Sequence, residues 1–185
     1  MKTFQAIPPA RAFAFLFFLH VVVSMALFLL LLPAILPFDG AALLDNTAGY
    51  DSGIVVARLE EFGETGRGAY QTYLLFLDTP YALLTGAVLA AALRLISTRL
   101  PRLKLGRWVY AFPIGLAALD VVENGLLFTL LRSFPDINET LANAAGASTS
   151  IKLMLVNAAF LLFLLAWVLL VWNWLVSRGT RQDER

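Results

Sequence analysis

Four apolar stretches, each near or beyond the ~18 residues a spanning helix needs, constrain this chain more than any other feature. They are expected as helices at about 12–35, 69–97, 107–132 and 150–176. Hydrophobic residues make up 59% of the 185, and the mean hydropathy is +0.76. A soluble domain is nearer half apolar. The fold expected is an all-α membrane protein, a single four-helix transmembrane domain over residues 1–185. The first stretch is too long for a signal-peptide core of roughly 7–15 residues, so it is read as a helix of the mature protein.

The net charge of +1 says little, but its distribution fixes an orientation. Arg94, Arg99, Arg102, Lys104 and Arg107 lie between helices two and three without an acid. Lys2 and Arg11 precede helix one, and Arg178, Arg181 and Arg185 follow helix four. Basic short loops face the cytoplasm. The expectation is a multi-pass protein of the cell (inner) membrane with both termini cytoplasmic. Trp108, Tyr110, Trp172 and Trp174 then fall in an inner aromatic belt. The first outer loop carries Asp39, Asp45, Asp51, Glu60, Glu61 and Glu64 against Arg58 and Arg67. Within it Asp51 or Ser52 can cap a short amphipathic helix ending at Phe62, with Gly63 as the C′ residue. That helix lies on the outer leaflet or forms a lid over an outward-opening cavity. Ser148, Thr149 and Ser150 offer caps for helix four.

Several chemistries drop out. Without cysteine there are no disulfides, thiolate metal sites or cysteine nucleophiles. One histidine is too few for a metal cage unless carboxylates complete it. There is no P-loop, dinucleotide fingerprint or GxSxG. No cofactor and no nucleic acid is expected.

Asp78, Asp120 and Glu123 lie inside the apolar stretches. A carboxylate at mid-bilayer costs about 2.5–3.5 kcal/mol on insertion scales, so these acids should face the bundle interior, water or a ligand. At 100° per residue, Arg67, Tyr70, Asp78, Tyr81 and Thr85 share a face of helix two. Pro113, Asp120, Glu123 and Asn124 share one of helix three. Ser150 and Asn157 line up on helix four, with Lys152 pointing elsewhere and snorkelling to the headgroups. His20 and Ser24 sit one turn apart on helix one. Pro80 and Pro113 should kink their helices. In depth, these residues describe a funnel with His20 and Asp120 at its floor and Arg67 and Tyr70 at its mouth. Helix four offers no polar continuation from Ala158 to Val171 apart from Trp167.

The run Leu59-Glu-Glu-Phe-Gly-Glu-Thr-Gly-Arg67-Gly-Ala-Tyr70, with Asp78-Thr-Pro80-Tyr81 and Leu119-Asp120-Val-Val-Glu123-Asn124, resembles small bacterial four-helix membrane proteins of unassigned function. Leu19-His20 and Asp78-x-Pro80 resemble the EXPERA-type fold of sterol isomerases and the sigma-2 receptor. That topological likeness implies a structured loop after helix one and an acid-lined pocket for a cationic ligand or carbocation.

Three functions follow as expectations. One is an outward-facing intramembrane pocket for a lipid-like or isoprenoid-like small molecule, with proton transfer by Asp78, Glu123 and Asp120. His20, Arg67, Tyr70, Tyr81, Asn124 and Asn157 would then contact the ligand. The second is a proton- or cation-coupled transporter, for which so few helices call for a homo-oligomer. The third is a non-catalytic scaffold. Membrane lipids and a hydrophobic small molecule are the partners expected.

Overall fold

The computed structural model describes residues 8–36 and 43–183, with side chains to residue 171 apart from 162, 166, 169 and 170. Lys2, Asp39, Arg185 and the side chains of Trp172, Trp174, Arg178 and Arg181 lie outside what is described. Among the described residues the chain is helical without strands. Four helical stretches are long and apolar enough to cross a membrane. The elements are α1 (Pro9–Ile35), α2 (Ser52–Tyr73), α3 (Thr79–Arg99), α4 (Ala111–Ser133) and α5 (Glu139–Asp183). α1 packs on α3, α3 on α4, and α4 on α5.

Two π turns precede prolines. Leu27–Leu31 leads to Pro33, and Leu74–Asp78 joins α2 to α3 ahead of Pro80. A proline clashes with the carbonyl four residues before it. Leu29 and Phe76, the residues in question, both lie in the widened turns, which relieves the clash. The carbonyl of Leu74 accepts from Thr79 Oγ1 at 2.9 Å. Pro113 behaves differently from expectation. It occupies the first turn of α4, where a missing N–H costs nothing, so it has no kink to make.

The amphipathic helix forms from Asp51, whose carboxylate accepts from Ile54 N at 2.9 Å. It breaks at Gly63, with φ at 62°. Its apolar face is not spread on lipid. Val55, Leu59 and Phe62 are buried in one core with Tyr70, Tyr73, Leu127 and Leu130. Arg67 spans the break, donating to Leu59 O at 2.8 Å and lying 4.3 Å over the Phe134 ring. The segment Leu43–Asn46 and Tyr50 complete this end of the bundle.

The second difference is the start of helix four. α5 begins at Glu139, eleven residues before the expected 150. Asn138 Oδ1 caps it, accepting from Leu141 N at 3.0 Å. Ser148, Thr149 and Ser150 are therefore interior residues rather than caps. The alanines at 142, 144, 145 and 147 carry the helix through this stretch. Large apolar side chains stand bare on the outside of the bundle, with Phe15, Phe18, Leu29 and Leu30 on α1 each more than 60% exposed.

Candidate functional site

Once α5 starts at Glu139, Lys152 lies thirteen residues in, about 20 Å along the axis. That is too deep to snorkel toward the end where α5 begins, and its side chain turns into the bundle. Its ammonium is 2.7 Å from Glu123 Oε2 and 3.3 Å from Asp120 Oδ1. This corrects the outward placement of Lys152. It also corrects Asn157, which is exposed and donates to Leu153 O of its own helix at 2.7 Å. Five residues separate the two, about 140° of helix rotation, so both cannot face inward.

Glu123 is fully buried. Its second oxygen accepts from Thr149 Oγ1 at 2.5 Å. Thr149 has one proton, which this contact takes, so the hydroxyl of Tyr50, 3.2 Å away, donates to Thr149. Asp78 is held separately. Its oxygens accept from the Tyr73 hydroxyl at 3.0 Å and from Asn124 Nδ2 at 2.8 Å. Asn124 also donates to Thr79 Oγ1 at 3.1 Å, and its amide oxygen has no partner among the described residues.

Asp45, in the short turn Leu44–Asn46, is a third buried acid beside Asp78 and Glu123, Asp120 being half-buried. It accepts from the Tyr70 hydroxyl at 2.6 Å, and its own N–H donates back to that oxygen at 3.2 Å. Burial, and then the charge of Asp78, pushes its carboxyl up from 3.8 to about 6. Lys152 and the Tyr70 bond pull the other way.

The predicted residues thus separate into two sites instead of one funnel. Asp78, Asp120, Glu123, Asn124 and Tyr70 belong to three adjoining sets of polar contacts at the end capped by α2. Tyr73, Thr149, Tyr50, Lys152 and Asp45 complete these sets, and sequence reasoning gave them no role there. An inward Lys152 was detectable only from the true start of α5. The cationic ligand implied by the EXPERA resemblance has no room between Asp120 and Glu123, because Lys152 occupies that position. Arg67 is tied to the chain itself, through one hydrogen bond to Leu59 O and the face of Phe134. Among the described residues no three His, Asp or Glu side chains could share a metal ion.

His20 and Tyr81 form the second site. His20 Nε2 is 3.0 Å from Thr85 Oγ1. Thr85 Oγ1 also lies 2.9 Å from Tyr81 O, and His20 Nδ1 lies 3.3 Å from Ser24 Oγ. Ser24 donates to His20 O at 2.7 Å and accepts from the Tyr81 hydroxyl at 3.0 Å. The rings of His20 and Tyr81 lie 4.9 Å apart. Beside them is a cavity of about 190 Å³ that all four spanning stretches line. Phe17 and His20 come from α1, Thr85, Val88 and Leu89 from α3, Leu116 from α4, and Val156, Ala159, Phe160 and Phe163 from α5. A second cavity of about 80 Å³ shares Leu89, Ala159 and Phe163 and continues toward Ile96. Next to this space α1 meets α5 through Phe13, 6.3 Å from the rings of both Phe163 and Trp167. None of the three predicted acids lines this space. No protein-family model, curated protein or solved structure matches the chain.

Proposed function

We propose that this is a multi-pass protein of the cell membrane, termini cytoplasmic, that holds one lipid-like or isoprenoid-like molecule in the slot between α1 and α5. The observation that carries this reading is the position of the only histidine, beside Thr85, on the wall of a largely apolar cavity of about 190 Å³. An apolar void of about 150 Å³ in a protein interior stays dry and takes up apolar guests. Here the surroundings are lipid, and His20 and Thr85 supply the few polar groups that orient a guest. The occupant is an unbranched or isoprenoid chain whose hydroxyl or carbonyl meets the imidazole. The acids serve the frame: they tie the capping segment, α2, α4 and α5 together.

Ala159 borders both cavities, so Ala159→Phe fills the slot without touching a polar group. Native mass spectrometry of gently solubilised protein should find a retained apolar molecule on the wild type and its loss from Ala159→Phe, with unchanged melting. Equal retention by both proteins, or none by the wild type, rejects the slot. The scaffold reading has its own support, since Asp45, Asp78, Asp120 and Glu123 are all engaged by partners within the chain. It gains if no occupant is found.

A further inference from the structure

At the opposite end from the acid network lies a second notch, between α1 and α3, with no wall in common with the slot. It measures about 300 Å³. Ala12, Leu16, Ala90 and Ala91 wall it, and Arg94 and Tyr110 border it. The alanines leave the space open, and Arg94 and Tyr110 are the polar side chains of its lining. Neither the Arg94 guanidinium nor the Tyr110 hydroxyl has an ion-pair or hydrogen-bond partner among the described residues.

The charge around this notch is one-sided. Arg11, Arg94, Arg99, Arg102, Lys104 and Arg107 are all exposed. Not one acid occurs between Asp78 and Asp120, or from residue 8 to 36. Among the described residues none of these cations pairs with a carboxylate. Trp108 is 79% exposed and Leu103 49% exposed in the same loop. An exposed indole beside exposed cations marks headgroup depth. Positive side chains there attract anionic lipids, and basic pockets between spanning helices bind their headgroups.

We propose that this notch is a binding site for an anionic phospholipid. The phosphate sits between the Arg94 guanidinium and the Tyr110 hydroxyl, and an acyl chain lies along Ala12, Leu16 and Ala91. Arg94 pairs with the phosphate through its fork of N–H donors, and Tyr110 donates one further hydrogen bond. The site is independent of the slot, since Ala90, Ala91 and Arg94 face one side of α3 and Val88, Leu89 and Ala92 another.

The experiment measures retention of phosphatidylglycerol by native mass spectrometry, with phosphatidylcholine and inorganic phosphate as the other arms. Wild type should retain phosphatidylglycerol over phosphatidylcholine and ignore inorganic phosphate. Arg94→Gln should weaken retention by about fivefold or more, given about 1 kcal/mol per cation near a charged surface. Ala91→Leu keeps every charge and fills the notch, so it should also lose the lipid. Arg102→Gln, outside the notch, should retain it. Melting curves certify that each variant is folded. Equal loss in Arg102→Gln, or full retention in Ala91→Leu, means diffuse surface attraction and overturns the site. An equal response to inorganic phosphate would make it a free-anion site and overturns the lipid assignment.

Discussion

Lys152 Nζ lies 2.7 Å from Glu123 Oε2 where neither side chain is more than 9% exposed. Taking both charges out of water carries a large desolvation cost, so the pair is worth more as a constraint than as net stability. What it fixes is the register of α5 on α4. Breaking it leaves a lone buried charge, which typically costs 3–5 kcal/mol, whereas replacing buried ion pairs by apolar groups of similar volume is often neutral or stabilising. Lys152→Met should therefore melt well below wild type in detergent. Lys152→Met combined with Glu123→Leu and Asp120→Leu should recover much of the loss. A triple variant no better than Lys152→Met would show that the charges do not act as a unit.

Asp45 makes the capping segment pH-dependent. Its carboxyl is raised in the folded chain from 3.8 to about 6, so the folded state holds its proton after the unfolded state has released it. Asp45 therefore opposes folding when ionised. Its cost is absent below pH 4, grows as pH rises through 4 to 6, and is complete above 6. Within that window stability falls as pH rises, because the folded chain still holds a proton that the unfolded chain has released. Stability measured against pH should fall more steeply across this window in wild type than in Asp45→Asn. Parallel curves would show that another group carries the effect.

Two glycines in the helices predict opposite signs. A Cβ on Gly146 would collide with the carbonyl oxygen of Tyr50, while one on Gly125 meets nothing within 4 Å. Gly146→Ala should destabilise by pushing the Tyr50 segment off α5, at the 1–3 kcal/mol typical of overpacking. Gly125→Ala should stabilise by up to about 1 kcal/mol through helix propensity. Thermal melts of the two variants should move in opposite directions. A neutral Gly146→Ala would mean that the segment does not rest on α5.

Much of the architecture is written in plain chemical terms along the chain. Long apolar runs specify spanning helices, Gly63 ends the amphipathic helix, and Phe134-Pro135 closes α4. The candidate site is less legible, for reasons that trace to single residues. Asn138 outranks Ser148, Thr149 and Ser150 as a cap because an alanine-rich stretch follows it, and this moves the helix start by three turns. Aligning Asn157 with Ser150 gives α5 the wrong rotational phase. Lys152, which reads as a headgroup anchor in sequence, pairs with Glu123 and Asp120 inside the bundle. Asp45 sits in a loop rich in acids, and its sequence neighbours do not distinguish a buried carboxylate from solvated ones. The slot beside His20 is lined by residues of four helices, a tertiary relation that no local pattern encodes.

Orientation can be tested apart from the site. The six cations near the notch belong at the cytoplasmic face if short basic loops are retained there. Reporter fusions after Thr98 and at the C-terminus should read cytoplasm, and one after Asn46 should read the opposite side. A fusion after Thr98 that reads external would reverse the whole assignment, and with it the leaflet that supplies the lipid.

Asp78 and Asn124 allow the sharpest test of the network, because their bond can be turned around. Asp78 accepts from Asn124 Nδ2 at 2.8 Å and from the Tyr73 hydroxyl at 3.0 Å. Asn124→Asp alone sets two carboxylates at hydrogen-bond distance, where like charges force one to keep its proton, and it should lower stability. Asp78→Asn alone supplies an amide N–H₂ facing the Asn124 N–H₂, and is accommodated only if the Asn124 amide turns over so that its oxygen accepts, giving up the bond to Thr79. In the double variant the new amide at 78 donates to the new carboxylate at 124, while its oxygen still accepts from Tyr73. Only the Thr79 acceptor goes without. The double variant should melt above Asn124→Asp, with a coupling within the 0.5–3 kcal/mol common for contacting residues. Additive losses would mean that α3 and α4 are held there by apolar packing, such as that of Gly86 on Ala117, and that the polar bond only satisfies groups already buried.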